Sequence, residues 1–188
     1  MARVLSSMLC AAMLALVTEV ATAEVLAAGR TGFSLKIETL SQASPARAYK
    51  AFSEIERWWD MAHSYGGDAE ELSITLAPGG AMLESLPNGG FIEHLQVVYA
   101  NPGKGLRLLG GLGPLQPIGV HGAMNIQFEA FGSGSKTVLT YNVSGFSSQG
   151  LVELAPIVDR VLAGQMQRHA SYADVLKQQA ERAAVPVP

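Results

Sequence analysis

Residues 33 to 59 read FSLKIETLSQASPARAYKAFSEIERWW, and the join inside them decides the fold. Phe33, Leu35 and Ile37 alternate with Ser34, Lys36 and Glu38, the period-two signature of a strand with one buried face. Ser44-Pro45 then opens a helix: the serine oxygen can take an orphan amide of the first turn, and the proline brings a preset φ with no N–H to satisfy. Ala48, Phe52, Ile55 and Trp59 follow at helical spacing as one apolar stripe, so the helix is predicted to end at Trp58-Trp59.

Downstream, apolar alternation and turn residues predict strands near 70–76, 80–86, 91–99, 104–110, 119–131 and 136–145. The turns between them are Pro78-Gly79-Gly80, Asn88-Gly89, Asn101-Pro102-Gly103 and Gly132-Ser133-Gly134, and such short connections mean antiparallel pairing. Gly110-Gly111-Leu112-Gly113-Pro114-Leu115 is too rich in Gly and Pro for regular structure and reads as a loop. A closing helix runs from about Leu151 or Pro156 to Arg182, with Val158, Leu162, Met166, Ala173 and Leu176 on one face. The fold class is α+β: an antiparallel sheet of about seven strands wrapped around a long C-terminal helix, enclosing an apolar hollow.

Upstream, Arg3, the uncharged apolar run from Val4 to Val17 and Ala21-Thr22-Ala23 read as the three parts of a secretory signal peptide over 1–23. The expectation is a mature chain beginning at Glu24, a linker over 24–31, the domain over 32–183, a disordered tail over 184–188, and a periplasmic or secreted location without a stable membrane anchor. Cleavage removes Cys10, the only cysteine, so stability must come from the core without a disulfide. The net charge of −3 is unchanged by loss of Arg3 and Glu19, and no basic cluster offers itself to a phosphate backbone, which argues against nucleic acid as a partner. No phosphate loop, dinucleotide fingerprint, nucleophile elbow or paired metal motif occurs, so no cofactor and no metal is expected.

The succession Ser44-Pro45, Trp58-Trp59, Gly79-Gly80, Gly89-Gly90, Glu93-His94, Leu106-Arg107-Leu108, Gly111-Leu112-Gly113-Pro114-Leu115 and Thr137-Val138-Leu139 resembles the bacterial START-like proteins. These belong to the helix-grip (SRPBCC) superfamily, with plant pollen allergens, lipid-transfer domains and polyketide cyclases, and the resemblance spans roughly residues 32 to 176. It implies a sheet gripping the C-terminal helix around an apolar cavity. It carries over no catalytic residue, because the superfamily includes carriers, sensors, chaperone activators and enzymes on one scaffold.

If Asn88-Gly89 is a two-residue hairpin loop, Leu86 faces Phe91 and Glu84 faces Glu93, on the face shared with Met82, Leu95 and Val97. Two carboxylates side by side on a half-buried face resist double ionisation, which makes Glu84 and Glu93 a candidate acid–base pair. Pairing across Asn101-Pro102 would place Gly110 beside Glu93. His94 and His121 fall on the polar phase of their strands and are assigned to the outer face, and His169 to the border of the core. Candidate ligand contacts are Trp58 and Trp59, His63 and Tyr65 in the loop after them, Met82, Leu95, Leu108, Met124 and Tyr141 on the strands, and Val158, Leu162 and Met166 on the last helix. Two functions compete: an exported container for a small hydrophobic molecule (a lipid, polyketide or aromatic), or a cyclase- or dehydratase-like enzyme using Glu84 and Glu93.

Overall fold

The computed structural model describes residues 21–67 and 71–184. The elements run β1 (Thr22–Gly29), β2 (Gly32–Ser41), α1 (Pro45–Ser53), β3 (Leu72–Ile74), β4 (Ala81–Leu86), β5 (Gly90–Asn101), β6 (Gly105–Gly110), β7 (His121–Phe131), β8 (Gly134–Ser144) and α2 (Ala155–Ala183). All neighbouring strands are antiparallel, in the order β1-β2-β8-β7-β6-β5-β4-β3. One face of this open sheet carries the core, and α1 and α2 cover it. This is the helix-grip arrangement, with eight strands rather than about seven.

The added strand is β1. Residues read as a linker pair along β2, from Thr22 opposite Glu38 to Gly29 opposite Gly32. Val25 and Ala23 pack against the core, and Ala21 N–H donates to Gln167 Oε1 of α2 at 2.9 Å. The signal-peptide reading lies largely outside the described residues, and the proposed cut after Ala23 falls within this strand. Most of the tail lies outside them too.

In β2, Phe33, Leu35, Ile37, Thr39 and Ser41 are all buried, the alternation expected of a half-buried strand. The turn into α1 is held from a distance: Asp174 Oδ1 of α2 accepts from Gln42 N–H, Ala43 N–H and Ser41 Oγ, while the Ser44 side chain makes no cap bond. Thus the carboxylate on the last helix, not the serine, secures this corner.

Helix α1 stops at Ser53, where Glu54 leaves helical geometry at φ −108° and ψ 53°, and a 3₁₀ turn over Ile55–Arg57 follows. The break changes which tryptophan enters the core. Trp58 is buried, its Nε1 donating to Ala51 O at 2.9 Å, whereas Trp59 is half-buried, its Nε1 donating to His63 O at 3.2 Å. An uninterrupted helix would have turned Trp59 inward with Ile55.

On α2, Ala155, Val158, Leu162, Met166, Ala170 and Ala173 form the buried stripe, joined by Gln165 and by His169, which is wholly enclosed rather than at the border of the core. No helix among the described residues is long and apolar enough to cross a membrane.

Candidate functional site

The β4–β5 hairpin shapes the site, and its register departs from expectation. Pro87–Gly89 form a 3₁₀ turn, so the loop holds three residues, and Leu86 pairs with Gly90, Glu84 with Ile92 and Leu83 with Glu93. Met82 then pairs with Leu95, leaving His94 as the extra residue of a β-bulge. A bulge puts consecutive side chains out of alternation, and here both His94 and Leu95 point inward. Phe91, expected on the core face, is 70 % exposed.

The carboxylate pair is therefore absent. Glu84 is 0 % exposed, while Glu93 stands on the outer face, bonded to Gln96. Glu93 is also not beside Gly110, which pairs with Leu95. In place of Glu93, Glu84 Oε2 meets His94 Nε2 at 2.9 Å, and Glu84 Oε1 accepts from Gly66 N–H at 2.6 Å. A carboxylate this enclosed is tolerable only because each oxygen has a donor. His94 was assigned to the outer face and is buried; His121 is exposed, as expected.

Above this pair lies a cavity of about 350 Å³. Its roof is the loop after Trp59: His63, Ser64 and Tyr65, with Trp59 behind them. Leu112, Gly113 and Pro114 form the rim, Met82 and His94 the floor on the sheet, and Ile157, Val158, Val161 and Leu162 the wall on α2. Tyr65 donates from its hydroxyl to Gly113 O at 3.1 Å, tying roof to rim. The roof is anchored to α2 as well: Asp60 N–H donates to Gln165 Oε1 at 2.8 Å, and Asp60 Oδ2 accepts from Arg168 at 2.9 Å. The Ala62 N–H, then Arg168, hold the Asp60 carboxyl below its ordinary range.

Of the residues singled out from sequence, Trp59, His63, Tyr65, Met82, Val158 and Leu162 line this cavity. Trp58, Leu95, Leu108, Met124 and Met166 lie deeper, around a crevice of only about 10 Å³. That is room for one water molecule at most, so this part of the expected hollow is packed core. Tyr141 is spent on structure: its hydroxyl donates to Gly110 O at 2.9 Å and accepts from Leu112 N–H at 3.4 Å, and burial pushes its pKa up to about 12. It holds the start of the rim loop in place and offers the cavity nothing.

Sequence reasoning missed His94, Ser64, Leu112, Gly113, Pro114, Ile157 and Val161. A signal for His94 was present: Ile92 and Leu95 are three apart where alternation demands two, the mark of an inserted residue.

Solved structures confirm the architecture. A protein from Rhizobium leguminosarum matches at 20 % identity over 82 % of this chain and 98 % of its own, with a TM-score of 0.52. The di-domain ARO/CYC StfQ from the steffimycin biosynthetic pathway matches at 14 % identity and TM-score 0.55 over 83 % of this chain, which spans about half (53 %) of StfQ. Ara h 8.0201 matches at 16 % identity and TM-score 0.53, covering 74 % of this chain and 96 % of its own. At these identities the likeness is one of fold. No family model matches the sequence, and neither does any curated protein.

Proposed function

We propose that this chain binds a small, mainly apolar molecule in the cavity between the roof loop, the rim loop and α2. The observation that carries this reading is the cavity itself: about 350 Å³, walled largely by Trp59, Met82, Leu112, Pro114, Val158, Val161 and Leu162, with a buried histidine in its floor. Its volume lies in the range of small-molecule sites, whose affinity comes from apolar walls and whose orientation comes from a few polar groups. The acid–base chemistry imagined for Glu84 and Glu93 loses its basis, since the sheet separates them. The leader reading puts the working compartment outside the cytoplasm, and N-terminal sequencing of the exported protein tests that, with Glu24 as the expected first residue.

Binding is tested by mass spectrometry of whatever co-purifies with the protein from its native host, together with titration of the apolar dye 1-anilinonaphthalene-8-sulfonate. Leu162→Trp fills the cavity from α2, and the expected result is loss of both co-purified molecule and dye binding in a protein that still unfolds cooperatively. Undiminished dye binding by a folded Leu162→Trp protein would overturn the reading.

A further inference from the structure

His94 is 5 % exposed and borders the cavity, and its Nδ1 is a buried nitrogen without a hydrogen-bond partner among the described residues. Buried polar atoms are almost always paired, and this unpaired one belongs to a ring that borders the cavity.

The far side of the ring tells which half of a hydrogen bond the nitrogen lacks. Glu84 Oε1 already accepts from Gly66 N–H, and Oε2 faces His94 Nε2 at 2.9 Å. A carboxylate accepts and cannot donate, so Nε2 carries a ring proton, and in the neutral ring Nδ1 is then a bare lone pair. Three polar groups of the lining have partners of their own: Tyr65 donates to Gly113 O, Ser64 Oγ to Met61 O, and Trp59 Nε1 to His63 O, while His63 is exposed. The Tyr65 ring, 6.0 Å from the His94 ring between centroids, gives the approach to it an aromatic side.

We propose that this lone pair selects the ligand: the cavity takes apolar molecules bearing a hydroxyl, alcoholic or phenolic, whose O–H donates to His94 Nδ1. The inference rests on the cavity being a binding site and adds the chemical class of its occupant. Ethers, ketones and esters of the same shape bring only acceptors and leave the nitrogen unpaired. Glu84 acts through the ring as a positioning residue, fixing which nitrogen carries the proton.

The test uses 2-naphthol and 2-methoxynaphthalene, measured by calorimetric titration. The ether is the more apolar of the two, so burial alone favours it, yet the wild-type protein is expected to bind the naphthol about tenfold tighter. In Glu84→Gln the amide oxygen keeps Gly66 N–H and the amide NH₂ faces Nε2, moving the ring proton to Nδ1. A hydroxyl and an ether then both serve as acceptors, and the preference is expected to vanish. ¹⁵N spectra of histidine-labelled wild-type protein need no variant: Nδ1 should be unprotonated, shifting on addition of 2-naphthol and not of the ether. Equal wild-type affinities, or a protonated Nδ1 in the free protein, would overturn this inference and leave the cavity reading standing. Failure of both probes to bind, or their undiminished binding to Leu162→Trp, would overturn both.

Discussion

At the scale of single residues, the polar groups buried in the core set how the protein answers to pH. His169 lies among the rings of Phe52, Trp58 and Phe128, with centroids 5.6, 5.3 and 6.2 Å away, and its Nε2 donates to Ala48 O at 2.9 Å. Burial pushes its pKa from 6.5 down to about 4, against the smaller opposing effect of the Ala48 bond. The unfolded chain thus takes up a proton that the folded one refuses, so stability is full above pH 6.5 and declines as pH falls toward 4, by up to about 3 kcal/mol. Urea denaturation at a series of pH values should show this slope. His169→Gln should be less stable at pH 7 and flatter over the same window; an equally steep slope would place the titration elsewhere. Tyr141→Phe removes the hydroxyl that bridges Gly110 O and Leu112 N–H and should cost about 1 kcal/mol in the same assay.

At the scale of elements, the bulge in β5 decides what the sheet presents to the cavity. Gly110 sits across from it at φ +151°, and a Cβ there would meet His94 O at 2.5 Å and Leu95 Cδ2 at 3.1 Å. Gly110→Ala must push the bulge away, and a loss of roughly 1 to 3 kcal/mol is expected, with weakened dye binding because His94 moves with its backbone. The same element shows the limit of reading the sequence. Alternation in β2, helical spacing on α2 and the Gly-Pro turns were legible because each follows from a local period or backbone preference. Val158 and Leu162 reached the cavity list through the α2 stripe. His94 did not, because one inserted residue reverses the facing of every position on one side of it, and pairing register is a property of two strands. Strand β1 escaped for a different reason: it is half exposed and rich in small residues, so its alternation is faint beside the leader-like run that precedes it.

At the scale of the whole molecule, the sheet is open, with β1 and the three-residue β3 at its edges. Cleavage after Ala23 would leave Glu24 through Gly29 to pair with β2, losing the Thr22 and Ala23 pairings and the Ala21–Gln167 bond. A chain beginning at Glu24 should therefore melt within about 5 °C of one beginning at Ala21. A chain beginning at Thr31 uncovers β2 and should melt at least about 10 °C lower and associate more readily through the bared edge. Scanning calorimetry of the three chains separates these outcomes, and similar melting for all three would mean that β1 contributes nothing to the domain.

The Gly66 N–H that holds Glu84 belongs to the loop that roofs the cavity. An excursion that breaks this bond frees the backbone proton of Gly66 to trade with deuterated solvent, so its exchange reports how often the loop parts from Glu84. That rate is a built-in clock for the loop's motion against the sheet. Tyr65→Phe, which cuts the tie to Gly113 O, should quicken that clock while leaving amides in the middle of β2 and β8 unchanged.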